Sequence, residues 1–241
     1  MRKTIIGGAA ILMIAMLAWA GGDPWKTKPF QQWNDEDIQK IFTDSPWSRT
    51  VRVEGTWKPV EGVNGAGGSI GTAGNGKGAT ALPAEADTNA GTVGPSVPFN
   101  VYWMSSETMR AALARRGVLH AGKDEAEAAK YVEAPIEEYQ IAVQGLDMAP
   151  FYHNDEKFFA VNSALEVKKT KQKETPSHVA FNRDDKNAIT SAVFFFPKKV
   201  NGQDLISPTD KSVEFTCKLG KSTLHAMFEP NKMANQKGPD L

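Results

Sequence analysis

KSVEFTCKLGKSTLHAMF, Lys211 to Phe228, is the stretch that decides the fold class. Val213, Phe215, Cys217 and Leu219 alternate with Glu214, Thr216 and Lys218. A period of two marks a strand with one face turned to a core and the other to water. Gly220-Lys221 separates this run from a second one, Ser222 to Phe228, and Gly-X in a two-residue loop suits a type II′ turn. The stretch therefore predicts a β-hairpin, with Cys217 on its apolar face as a small buried hydrophobe. A nucleophilic role for Cys217 would need a base nearby and a lowered pKa. His225, in the second run, reads as a half-buried strand residue.

Upstream, Ala164 to Lys169, Ser177 to Asn182 and Ile189 to Pro197 read as further strands of a meander, and Glu138 to Leu146 alternates with Tyr139, Ile141 and Val143 on one face. Pro98 to Met104 is apolar on both faces, as expected of a central, buried strand. Two helices lie between these strands. One is capped at Ser105 or Ser106 and runs to about Arg116, with Gly117 to close it; the other covers Asp124 to Val132. A third covers Asp35 to Thr43, with Asn34 as cap, acids in its first turn, a Trp33–Ile38 staple, and a stop at Asp44-Ser45-Pro46. A strand follows from Arg49 to Trp57. The expected fold class is α+β: a mostly antiparallel β-sheet with two or three packed helices.

Between Pro59 and Pro98 the composition changes, with ten glycines and almost no large apolar side chain. Such a stretch buries too little to offset its ordering entropy, so it reads as a flexible, disordered insert at about 59–97 between two strands of one sheet. Gly67-Gly68-Ser69-Ile70-Gly71 matches a serine-hydrolase string but lacks the flanking strand and helix that chemistry requires. Gly71 to Gly78 approaches a phosphate-binding loop, but Gly78 stands where Ser or Thr would reach the metal ion.

At the other end, Arg2-Lys3, the apolar run Ile5 to Leu17 and Ala18-Trp19-Ala20 have the three-part layout of a secretory signal. The run is short for a membrane span, which takes about 20 residues. The reading is a signal peptide at 1–20 and a single mature domain at 21–241, periplasmic or secreted. The 28 basic and 28 acidic residues balance, which gives no support to nucleic acid or an anionic membrane as partner. With one cysteine there is no internal disulfide.

No motif implies a cofactor or metal. His120, His153, His178 and His225 form no ligand-like spacing, and His153-Asn154-Asp155-Glu156 reads as a polar turn. Glu137-Glu138 and Asp184-Asp185 are sequence neighbours, which point to opposite faces of a strand. Among the tryptophans, Trp33 and Trp103 have packing roles. Trp25, Trp47 and Trp57, with Phe30 on an extended arm from Asp23 to Phe30, are the candidate binding residues.

Lys28-Pro29-Phe30-Gln31-Gln32-Trp33 followed by Thr43-Asp44-Ser45-Pro46-Trp47 resembles the opening of a family of uncharacterised exported bacterial proteins. Val101 to Ser106, Phe194 to Lys198, Val213 to Phe215 and Met227 to Met233 echo it further. That family has no assigned activity, so the resemblance implies export and carries over no catalytic residue. It also implies that the Gly-rich insert, longer than the connection expected there, is dispensable to the fold.

The leading expectation is a non-enzymatic binding or structural module of the cell envelope with a protein partner. The alternatives are an extracytoplasmic hydrolase with a dispersed site, with Glu107, Glu138 and Asp147 as candidate acids, and a small-ligand or metal carrier.

Overall fold

Two main antiparallel sheets, two short two-stranded pairs and the helices packed on them make up residues 22–55 and 96–241, which the computed structural model describes. The expected signal peptide, the Gly-rich stretch up to residue 95 and Trp57 lie outside the described residues.

The described residues open with α1 (Pro24–Thr27), a 3-10 turn (Phe30–Gln32) and α2 (Asp35–Thr43). Then come β1 (Ser48–Glu54), β2 (Ser96–Trp103), α3 (Glu107–Ala121), α4 (Glu125–Glu133) and β3 (Glu138–Gly145). A second 3-10 turn (Ala149–His153) leads into α5 (Glu156–Val161), β4 (Ser163–Val167), β5 (Gln172–Glu174), β6 (His178–Arg183) and β7 (Ile189–Pro197). The short pair β8 (Lys199–Val200) and β9 (Gln203–Asp204) precedes the hairpin β10 (Val213–Leu219) and β11 (Ser222–Phe228). A last short pair, β12 (Ala234–Asn235) and β13 (Gly238–Pro239), ends the chain. The fold is α+β, and among the described residues only α2, α3 and α4 exceed two turns.

One sheet runs β1-β2-β3-β7-β6 and the other β11-β10-β4-β5. β1 and β2 pair from Ser48↔Tyr102 to Glu54↔Ser96, so the Gly-rich stretch joins adjacent strands of one sheet. In the hairpin, Leu219 faces Ser222 across a two-residue turn with Gly220 at φ +65°.

The sheets pack face to face. Trp103, Ile141 and Phe194 are cross-strand neighbours on the inner face of the five-stranded sheet. The hairpin meets them with Phe215 and Phe228: ring centroids are 4.9 Å apart for Phe194–Phe215 and 5.2 Å for Trp103–Phe228. Each such edge-to-face pair is worth about 0.5–1.5 kcal/mol beyond its buried area. The opposite face of the five-stranded sheet takes helices, and Tyr102 of β2 meets Phe42 of α2 at 5.8 Å. Helices behind and a sheet in front explain why β2 is apolar on both faces.

The outer face of the four-stranded sheet stays in water. Lys168 bonds both Glu166 and Glu214 there, and His225 Nδ1 lies 2.9 Å from Glu214. His225 is thus exposed rather than half-buried, because Leu224, Ala226 and Phe228 take the inner positions of β11.

Local chemistry explains most helix ends. Asn34 Oδ1 accepts from Asp37 N and Asp37 Oδ2 from Asn34 N, a complete capping box. α3 does not stop at Gly117. It continues to Ala121 with Gly117 buried inside it, and Gly122 at φ +62° provides the left-handed cap. The arm from Asp23 to Phe30 is not extended: it folds into α1 and the start of the first 3-10 turn, and Trp25 within it and Trp33 just after that turn are buried.

Candidate functional site

Four segments far apart in the sequence converge on one cleft of ≈ 200 Å³: the arm, the first turns of α3, the end of α4 and the β12–β13 turn. Each is held there by identifiable bonds. The arm folds back on itself through Trp33 Nε1, which donates to the Lys28 carbonyl at 3.2 Å, and through Lys28, which pairs with Asp37 at 2.8 Å. Arg115 Nε of α3 donates to the Trp33 carbonyl at 2.9 Å and fastens the arm to the helix. Behind the arm, Trp25 packs edge-on against Trp47 at 5.6 Å.

The C-terminal strap closes the opposite side. Asp240 places its carboxylate on the first amides of α3, accepting from Glu107 N at 2.6 Å and Thr108 N at 2.9 Å. An anion at a helix N-terminus meets both the unpaired N–H groups and the positive end of the dipole. Burial nonetheless raises the Asp240 pKa above the ordinary aspartate value, against the lowering pull of these bonds. The Asp240 carbonyl accepts from Trp47 Nε1 at 2.7 Å, and its amide donates to Met233 O at 2.9 Å. So anchored, the strap presents Asn235, Gln236 and Lys237 as one wall of the cleft.

The floor is apolar: Trp25, Trp33, Ala111 and Val132 are buried. Phe30 is partly exposed on the wall, and the amides of Gln31 and Gln236 sit on the rim in solvent. The rim cations have carboxylate partners, Lys28 in Asp37 and Lys237 in Glu107 at 2.5 Å. Two polar atoms of lining residues are buried without a hydrogen-bond partner: the indole N–H of Trp25 and the hydroxyl of Thr108. An orphaned buried donor costs about 1–3 kcal/mol, and an acceptor oxygen is the chemistry that would relieve it.

Of the candidate binding residues, the structure brings Trp25 and Phe30 together in this cleft. The expectation of surface anchors is corrected for Trp25 and Trp47, which are 3% and 0% exposed. Their rings are covered by each other, by Lys40 over Trp25 and by the strap, so neither offers a free face. The sequence reading missed Thr108, Val132, Asn235, Gln236 and Lys237, because nothing local signals that their segments meet.

The candidate acids do not form a site. Glu107 pairs with Lys237 at the cleft mouth, Glu138 accepts from Ser177 Oγ, and Asp147 accepts from Ala149 N at 2.7 Å. Glu138 opens β3, whereas Asp147 lies two residues beyond its far end at Gly145, so the two carboxylates are not brought together. Asp155 caps α5 through Phe158 N at 2.8 Å, so the stretch after His153 serves as a polar turn. Cys217 is fully buried, and burial pushes its thiol up to about 12. Among the described residues no group of three or more His, Cys, Asp or Glu is placed to hold a metal ion. Nor is any described helix long and apolar enough to cross a membrane. No protein-family model, curated protein or solved structure matches the chain.

Proposed function

We propose that this chain is an exported, non-enzymatic binding module of the cell envelope, and that the cleft between the arm, α3, α4 and the strap is where it holds its ligand. The observation that carries the reading is the convergence of those segments on an aromatic-floored cleft in which the Trp25 N–H has no partner. Binding sites combine an apolar lining with a few placed polar groups, and this cleft has that composition. The signal-like start, Arg2 to Ala20, supports export. The ligand is then an exposed group of an envelope component, or a small molecule carried free.

The arm does not act alone as a free contact surface, since removing it would strip Trp25 and Trp33 from the core. The test leaves the fold intact. Gln31 and Gln236 are exposed, so replacing both with Ala leaves the melting temperature unchanged. Tagged protein cross-linked in its own envelope should enrich a partner that the double variant loses. Equal enrichment by both proteins would remove the cleft from the reading.

A further inference from the structure

The class of ligand follows from the cleft itself, and the inference rests on the binding reading above. We infer that the cleft takes one uncharged pyranose ring, the terminal sugar of a glycan. Size is the first argument. An apolar cavity of about 150 Å³ accepts a benzene ring. The cleft's ≈ 200 Å³ therefore suits one six-membered ring with a few substituents, and not an extended peptide or a nucleotide.

Charge is the second. Lys28 and Lys237 are each neutralised by a carboxylate, Asp37 and Glu107, and Glu133 adds a negative charge to the rim. An anionic ligand would have to displace these carboxylates, and a cationic one would compete with the lysines. A neutral ligand disturbs neither pair.

Hydrogen-bonding capacity is the third. The amides of Gln31, Asn235 and Gln236 both donate and accept, as hydroxyl groups do. Asn235 already accepts from Lys237 N at 2.8 Å through Oδ1, which leaves its NH₂ as donor. Glu133 offers an acceptor, and the Trp25 N–H a donor that lacks its oxygen. A ring with several hydroxyls uses all of these groups. A tyrosyl side chain, also a six-membered ring, has one hydroxyl and would leave the amides idle. The partly exposed ring of Phe30 packs against the C–H surface of the sugar, and the exposed rim at Gln31 and Gln236 leaves the mouth open for the rest of a glycan.

The test uses the mature protein and methyl pyranosides of glucose, galactose, mannose and N-acetylglucosamine, followed by saturation-transfer NMR. N-acetyltyrosinamide is the competing probe. At least one pyranoside should bind saturably. Trp25→Phe, which keeps the ring and removes the N–H, should weaken it roughly tenfold. Gln236→Ala should weaken it at an unchanged melting temperature, so that a loss through misfolding is recognised. Binding of N-acetyltyrosinamide alone, with the same sensitivity to both variants, would overturn the sugar inference and leave the binding module standing. No binding by any probe, together with unchanged partner capture by the Gln31/Gln236 double variant, would overturn both.

Discussion

The hairpin and the arm are buried in the same core and held by opposite means. β10 and β11, seven residues each, pair along their whole length, and β10 pairs again with β4. The segment from the arm through α2 to Trp47 contains no strand, and a backbone bond to a sheet comes only at its end, where Trp103 N of β2 donates to the Trp47 carbonyl at 2.8 Å. Otherwise it is held by single bonds from side chains: Trp33 to Lys28, Arg115 to Trp33, Trp47 to Asp240. Backbone pairing distributes stability over many groups, so a point change in the hairpin is shared. In the arm each anchor is alone, and its loss frees a whole segment.

The largest break in this contrast should come from Trp47→Ala. It removes a fully buried indole and leaves the Asp240 carbonyl without its donor, at about 3–5 kcal/mol. Phe215→Ala in the hairpin should cost a similar amount. The difference lies in where protection is lost: amide exchange in the Trp47 variant should rise in the arm and strap first, while in the Phe215 variant it should follow global unfolding. Equal, global loss in both variants would erase the distinction. Asp240→Ala is next, at about 1–3 kcal/mol, since it uncovers the first amides of α3 and loosens the wall of the cleft. Urea unfolding gives the size, and exchange at Glu107 and Thr108 the place. The smallest effect should be Gly220→Ala, about 1 kcal/mol from the positive φ, with the hairpin register kept. A register slip seen by NMR would show that the turn, rather than the pairing, sets the hairpin.

The same contrast decides what was legible in the sequence. Val213 to Phe228 carries its own instructions: alternation says which side chains go in, and Gly220-Lys221 says where the chain turns. α2 is equally local, because Asn34 and Asp37 cap each other. Trp25 and Trp47 look like candidate anchors only because what covers them comes from elsewhere, the Asp240 carbonyl being 193 positions beyond Trp47. Gly117 misleads in a related way: a glycine reads as a helix end, yet α3 buries it and runs on to Gly122. Of the cleft, Trp25 and Phe30 were visible. The rest depends on tertiary pairing, which no window of a dozen residues contains.

The bond between Trp47 and Asp240 also sets an order of events. Contacts between distant positions form late, because the intervening chain must be brought together first. A chain made from its N-terminus leaves Trp47 without its Asp240 partner until residues near 240 arrive, whereas the hairpin can close as soon as it exists. During that interval the Trp47 indole is apolar surface without its final cover, and such surface favours aggregation.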